Sequence, residues 1–303
     1  MRVASLLPSA TEILYAIGVE PIGVSHSCDF PPGPTDRPVL TSTPIASDEG
    51  HSAGEIDEQV RDLEGSTYHV DGALLSRLDP DLVITQAPCE VCAVDSEAVL
   101  DTIDRHGIDA DVLRLDPHGL SDVFSSIERI GRATGQSDAS EALRSSLRSR
   151  LNRIEAIVDD EAHPDVAVFD WTDPPIASGH WVMDLIAHAG GRSTLNDGGE
   201  SRPVRMEQVL EADPDVIVVA PCGFDLDRSI GSIDDLRTHR EWETLRAVEA
   251  GRVYAVNGNQ YFNRPGPRLV DSIELLAACL HPGIVIDRID GAVAKVAPKE
   301  SHQ

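Results

Sequence analysis

Leu78-Asp79-Pro80-Asp81-Leu82-Val83-Ile84 leads on to Pro88-Cys89, and Ala212-Asp213-Pro214-Asp215-Val216-Ile217-Val218-Val219 leads on to Pro221-Cys222. The two stretches are near copies, with ten steps from the first Asp to the Cys in one and nine in the other. In each, an Asp-Pro pair stops a helix, because proline drives the residue before it out of helical conformation. An unbroken apolar run follows, the pattern of a strand buried on both faces of a parallel sheet. Ligands of open parallel sheets gather at the carboxyl ends of the strands, where each copy places a thiol. The repeat therefore predicts an α/β fold of two similar parallel-sheet lobes, with a ligand cleft between them.

A chain of 303 residues exceeds a usual single domain and accommodates two such lobes. Residues 1–118 read as an N-terminal α/β lobe, 119–160 as connecting helices, 161–285 as a C-terminal α/β lobe and 286–303 as a polar tail. Asp and Glu number 52 against 25 Lys and Arg, a formal charge of −27, and only Lys295 and Lys299 are lysines. Binding nucleic acid or an anionic membrane requires clustered positive charge, so this balance argues against both. It suits instead a carboxylate-rich, halophilic surface whose self-repulsion is screened by salt. No apolar stretch approaches the ~20 residues of a membrane span. Pro8, Ser9, Thr11 and Glu12 interrupt the only early apolar run, so no signal peptide is legible and the expected location is cytoplasmic. A true start lying upstream would make it extracytoplasmic. In a cytoplasmic chain the five cysteines read as thiols or metal ligands rather than disulfides.

Periodicity predicts strands near 3–7, 22–24, 82–85 and 112–115 in the first lobe, with helices from Ser9 and over 55–63, 71–78 and 95–106. No strand is expected over 120–158. A helix over 121–132 and a longer one with Leu143, Leu147, Leu151, Ile154 and Ile157 on one face form the connector. The second lobe restarts with a strand at 166–169, a loop at 170–179 and helices over 181–189 and 206–212. Strands at 216–220 and 253–256 and a helix over 269–280 complete it.

The strand ends and the loops after them collect the candidate ligand-binding residues Ser9, His26, Asp29, Gln86, Trp171, Asp173, His180, Trp181, Phe224, Asp225, Tyr261 and Phe262. Two of the chain's three tryptophans fall in this set, and broad aromatic faces with a few polar groups suit a large flat organic ligand. Packing of Trp171 and Trp181 between loop and helix is the bland alternative. Cys28, Cys89, Cys92 and Cys222 end other loops of the same kind, and four converging thiolates bind zinc or an iron–sulfur cluster. A lone Cys-x-x-Cys is a weak pattern, and small buried cysteines explain it equally well. No nucleophile elbow, Walker loop or dinucleotide fingerprint appears, so no catalytic residue is assigned.

The residues Ser5-Leu6-Leu7-Pro8-Ser9-Ala10-Thr11-Glu12-Ile13-Leu14, the two Asp-Pro-Asp strands, the connecting helix and Gly251-Arg252-Val253-Tyr254 together resemble a known family. It is that of the helical-backbone substrate-binding proteins of cobalamin and ferric-siderophore ABC transporters. Cys28-Asp29-Phe30-Pro31, Cys89–Ala93, Gly179-His180-Trp181 and Pro221-Cys222-Gly223-Phe224-Asp225 resemble its cobalamin-binding subgroup. The resemblance implies two Rossmann-like parallel-sheet lobes joined by a single long helix, a corrinoid such as cobalamin held between them as ligand, and no enzymatic activity. It also implies an ABC permease as partner, docked through a glutamate seven residues before the proline of each strand motif. That position is Glu207 in the second copy and Ala73, with Asp71 nearby, in the first. The rival reading is a cytoplasmic metalloprotein or enzyme using a cysteine-rich cleft.

The charge excess sets the first expectation. Repulsion among the carboxylates weakens as the Debye length falls from about 10 Å at 0.1 M to about 3 Å at 1 M, so the melting temperature should rise between dilute buffer and molar KCl. A scanning calorimetry series in KCl checks this.

Overall fold

The computed structural model describes residues 1–31, 36–47, 50–63, 66–86, 96–284 and 291–297, and these fall into two compact units. The first comprises residues 1–46, 58–117 and 121–147. Its elements are β1 (Val3–Ser5), α1 (Pro8–Ala16), β2 (Thr41–Ser42), part of α2 (Ala53–Asp62), β3 (His69–Val70), α3 (Gly72–Leu78), β4 (Leu82–Gln86), α4 (Ser96–His106), β5 (Asp111–Leu115), most of α5 (Leu120–Ala133) and the first half of α6 (Ser137–Val158). The sheet runs β1-β4-β5, all parallel. The strand expected at 22–24 is reduced to isolated parallel bridges, Ala4 to Gly23 and Val24 to Val39. Ala4, Leu6, Leu40, Leu75, Val83, Val99 and Ile103 form the core.

The second unit comprises residues 47–57, 118–120 and 148–303. It contains β6 (Asp165–Thr172), β7 (Pro175–Ala177), α7 (Val182–His188), β8 (Arg192–Ser193), β9 (Arg202–Pro203), α8 (Met206–Ala212), β10 (Val216–Val219), α9 (Leu226–Leu236), α10 (Arg246–Glu249), β11 (Val253–Val256), α11 (Leu269–Leu280) and β12 (Val293–Lys295). Strands β11, β10 and β6 are parallel and central. Antiparallel β12 flanks them on one side, and β7 then β9 on the other. Two expectations change here. Residues 170–179, expected as a loop, form a hairpin in which β6 runs on to Thr172 and β7 pairs back as Trp171 to Ile176 and Phe169 to Ala177. Part of the supposed polar tail is a strand, because β11 has an open edge that Val293–Lys295 satisfy, with Val256 paired to Val293.

The sequence repeat is a structural repeat in the local sense. Asp79 and Asp213 are the C-caps of α3 and α8, in left-handed conformation at φ 45° and 37°, a region that aspartate tolerates better than most residues. Pro80 and Pro214 are buried, and the second aspartate of each triplet then caps a neighbouring strand. Asp81 Oδ2 accepts the Arg2 N–H at 2.6 Å, and Asp215 Oδ2 accepts the Asp165 N–H at 2.9 Å. The same aspartates donate their own N–H groups back to the Arg2 and Asp165 carbonyls, each at 2.8 Å. An arginine closes each helix end. Arg2 donates to the carbonyls of Leu78 and Asp79, and Arg246 donates to the carbonyl and carboxylate of Asp213.

Helix α6 buries Leu147, Leu151, Ile154 and Val158, spaced 4, 3 and 4 residues, while Ile157 is 47% exposed. Continuing the 3.6-residue period selects Val158 where the expectation placed Ile157. Among the described residues, no helix is long and apolar enough to cross a membrane.

Trp242, in a 3-10 turn between α9 and α10, is 1% exposed and packs in the core with Phe169, Val209, Ile217 and Leu245. Trp242→Ala should therefore cost about 3–5 kcal/mol of unfolding free energy, measured by chemical denaturation.

Candidate ligand-binding site

Because β6, β10 and β11 are parallel, their carboxyl ends lie on one edge of the second unit's sheet, and the loops leaving them form a polar-aromatic face. Trp171 is the penultimate residue of β6. Its Nε1 donates to the carbonyls of Ala53 at 3.2 Å and Asp173 at 3.0 Å, and its ring meets Phe224 at 5.2 Å between centroids, tilted by 59°. The Arg228 guanidinium sits 3.8 Å over the other partner of that pair, the Phe224 ring, a cation–π contact. It is held there by the carbonyls of Ser47 and His51 at 2.8 and 3.1 Å.

The loop after β11 is tied to the loop after β10. Asn263 Nδ2 donates to the carbonyls of Ala220 and Gly258, and Asn259 N–H donates to the Phe224 carbonyl at 2.8 Å. Gly258 makes this approach possible, since a Cβ there would lie 2.1 Å from the Pro221 carbonyl oxygen. Next along this edge is the turn that opens α7. The His180 ring stacks on Trp181 at 5.7 Å and 27°, and meets His118 at 5.9 Å. Trp181 Nε1 donates to the Phe262 carbonyl at 2.5 Å. Burial, reinforced by the neighbouring His118, holds the His180 pKa below the ordinary imidazole value, so at neutral pH it presents an uncharged ring able to accept a hydrogen bond or ligate a metal.

The sequence candidates divide on this structure. Trp171, His180 and Trp181 stay partly exposed, Trp171 against Phe224 and His180 against Trp181 and His118. Phe262 is wholly buried and Phe224 and Tyr261 nearly so, at 4% and 7%, so Phe262 takes part through its carbonyl alone. The Asp225 carboxylate is spent as the N-cap of α9, accepting the Arg228 N–H at 2.9 Å. Asp173 is exposed and lies against Gly54. Three residues were missed. His118 comes three residues after β5, at a strand end that the pattern already marked. Arg228 lies on a helix that carried no signal, and Asp170 is masked by the apolar strand around it.

In the first unit the candidates form hydroxyl-rich clusters. Ser9 and Gln86 are buried. Thr11 Oγ1 donates to Ser5 Oγ at 2.8 Å and lies 3.1 Å from Cys28 Sγ. His26 Nδ1 is 2.7 Å from Thr41 Oγ1, and its ring lies 5.5 Å from that of Tyr68. Asp29 is partly exposed. Cys28 is thus partnered by a threonine and Cys222 is exposed on its loop, while Cys89 and Cys92 lie outside the described residues. Among the described residues no group of three or more His, Cys, Asp or Glu is placed to hold a metal ion, so the donors present do not make up a zinc or iron–sulfur site.

The Asp170 carboxyl group is enclosed, although the residue keeps some exposure, and it accepts hydroxyls from Ser178 and Ser201. Burial outweighs those two bonds and pushes its pKa from 3.8 up to about 6. The native chain therefore binds a proton between about pH 4 and 6 that the unfolded chain has lost. Acidification from pH 7 to 4 adds up to roughly 3 kcal/mol of stability from this group, and raising the pH removes it. His180 acts in the opposite sense, withdrawing stability as pH falls through the imidazole range. Asp170→Asn cancels the first contribution only. The variant's unfolding free energy relative to the wild type should therefore fall as pH drops from 7 to 4, as followed by urea titration at each pH.

A family model described as periplasmic binding protein matches residues 3–259. The vitamin B12-binding protein of Vibrio cholerae serotype O1 is 25% identical over 292 residues, spanning 92% of this chain and 88% of that protein. Among solved structures, the periplasmic vitamin B12 binding protein of Vibrio cholerae superposes with a TM-score of 0.67 at 22% identity, covering 92% of this chain and 96% of that one. A periplasmic heme binding protein from Pseudomonas aeruginosa superposes with a TM-score of 0.71 at 19% identity, covering 94% of both chains. At these identities the superpositions establish the fold.

Proposed function

The chain belongs to the periplasmic binding protein family, whose relatives here are solute-binding proteins and not enzymes, and from that premise we propose that it captures a cobalamin-type corrinoid for delivery to an ABC permease. The observation that carries this reading is the second unit's strand-end loops, where Trp181 stacks on His180, His180 meets His118, and Trp171 packs on Phe224 after β6. Flat aromatic surfaces gain most against a large rigid macrocycle, and the neutral His180 imidazole suits its metal centre or its amide fringe. The vitamin B12-binding relative supports the same ligand. A haem is the second reading, favoured by the heme binding neighbour from Pseudomonas aeruginosa and by the same pairing of ring faces with imidazole nitrogens.

The relatives' periplasmic names favour capture outside the cytoplasm over the cytoplasmic location first expected. Docking to the permease is assigned to Glu207, which is exposed in the first turn of α8 with the exposed Arg205 at 3.7 Å. In the first unit Ala73 offers no charge. Asp71 spends its carboxylate on the Leu74 N–H at 2.8 Å as the N-cap of α3, so it is a weaker substitute.

Isothermal titration of the purified chain with cyanocobalamin and with hemin tests the reading. Cyanocobalamin should bind the more tightly, and Trp171→Ala should weaken it about tenfold, equivalent to ~1.4 kcal/mol and within the range of one aromatic contact. Binding of hemin alone would transfer the assignment to a haem carrier, and binding of neither would remove it.

A further inference from the structure

We propose that Asp170 is a positioning residue of this site, fixing the Gly179–Trp181 turn through Ser178 and Ser201 so that the His180 and Trp181 rings face the ligand. The inference rests on the second-unit strand ends being the ligand face, and on a hydrogen-bond chain whose direction the chemistry dictates. The Asp170 oxygens are divided between two hydroxyls: Oδ1 accepts from Ser178, just beyond β7, and Oδ2 accepts from Ser201, just before β9. Ser201 Oγ also receives the Gly179 N–H at 3.0 Å. An N–H can only donate, and a hydroxyl has one proton, so the Ser201 proton must go to Asp170. The carboxylate is thus the acceptor that terminates a relay running from Gly179 through Ser201.

That relay sits where the backbone needs holding. Gly179 lies so close to the 200–201 peptide that a Cβ would come within 2.3 Å of the Glu200 carbonyl carbon. His180 follows at φ 51°, a left-handed conformation that is unfavourable for a non-glycine residue. Its N–H is clamped on the Gly199 carbonyl at 2.6 Å, and the Gly179 carbonyl accepts from Val182 at 3.1 Å to start α7. The 196–200 strap is braced in turn by Asn196 Nδ2, which donates to the carbonyls of Ser178 and Glu200. Strained backbone of this kind persists only where its surroundings over-determine it. Here the surroundings converge on the Asp170 carboxylate through Ser178 and Ser201.

The test uses the full chain and separates positioning from general stabilisation. The three indole N–H signals of Trp171, Trp181 and Trp242 serve as ligand-free reporters in proton–nitrogen NMR spectra, with Trp181 assigned from Trp181→Phe. Asp170→Ala should shift the Trp181 signal and speed exchange of the Gly179 amide by tenfold or more, while the core Trp242 signal stays in place. Asp170→Asn, which keeps one acceptor oxygen, should restore part of both effects. Ser201→Ala leaves Asp170 intact and removes little volume. It should reproduce the Trp181 shift and stands in should Asp170→Ala fail to fold. Cyanocobalamin and hemin titrations should show a loss of tenfold or more in both alanine variants for whichever probe the wild type binds. An unmoved Trp181 signal in Ser201→Ala, or Trp181 and Trp242 shifting together, overturns the proposal. If the wild type binds neither probe, the ligand reading fails, and the Trp181 signal still decides whether Asp170 positions the turn.

Discussion

An aspartate at the end of one element that fixes the first peptide of a neighbouring strand is the constraint on which both units depend. Asp81 and Asp215 each bind the residue there twice, accepting its N–H through the side chain and donating a backbone N–H to its carbonyl. A parallel strand entered from a helix has no tight turn to set its register, so a sliding error would move every later side chain to the opposite face. The Asp-Pro-Asp triplet removes that freedom. The left-handed first aspartate ends the helix, the proline prevents its continuation, and the second aspartate pins β4 to β1 and β10 to β6. Once the starts of the strands are in register, Trp171 and the Pro221–Asp225 loop come out at one edge of the sheet.

At that edge the balance of forces changes. The strands behind it bury Val216, Ile217, Val218 and Val219 with almost no exposure, and hydrophobic burial is sufficient there. The loops in front carry polar backbone that must find partners, and side chains supply them. Asn263 and Asn196 each bridge two carbonyls, Arg228 bridges two more, and Asp170 gathers two hydroxyls. A buried carboxylate is unfavourable unless its hydrogen bonds are made, and its raised pKa records that those bonds offset burial only in part. The face that holds the tryptophan and histidine rings is therefore rigid for polar reasons, on an apolar support.

Much of this was legible along the chain. The duplicated triplet announced the parallel α/β units, and the strand-end rule led to Trp171, His180 and Trp181 before any contact was known. Their partners were less accessible. Phe262 was a candidate ligand-binding residue because it follows a strand, yet the loop folds it inward behind Ser272, whose Oγ accepts its N–H at 3.1 Å. Asp225 looked like a polar contact and proved to be a helix cap. The β6–β7 hairpin was hidden because Asp173-Pro174-Pro175 reads as irregular chain, and β12 because a three-residue edge strand carries too short a pattern to stand out from a polar tail.

The sequence by itself determined the fold class, the repeat that sets strand register and the family to which the chain belongs, since these follow from local chemistry: proline geometry, apolar periodicity and capping aspartates act over a few residues. Only the tertiary structure decided which aromatic rings keep an open face and that Asp170, rather than a cysteine or an exposed aspartate, organises the turn carrying His180 and Trp181. Those outcomes depend on partners 8 to 31 residues away, Ser178 and Ser201 for Asp170 among them, and on how completely the surrounding chain excludes water. Neither separation nor burial is written in the identity of the residue itself.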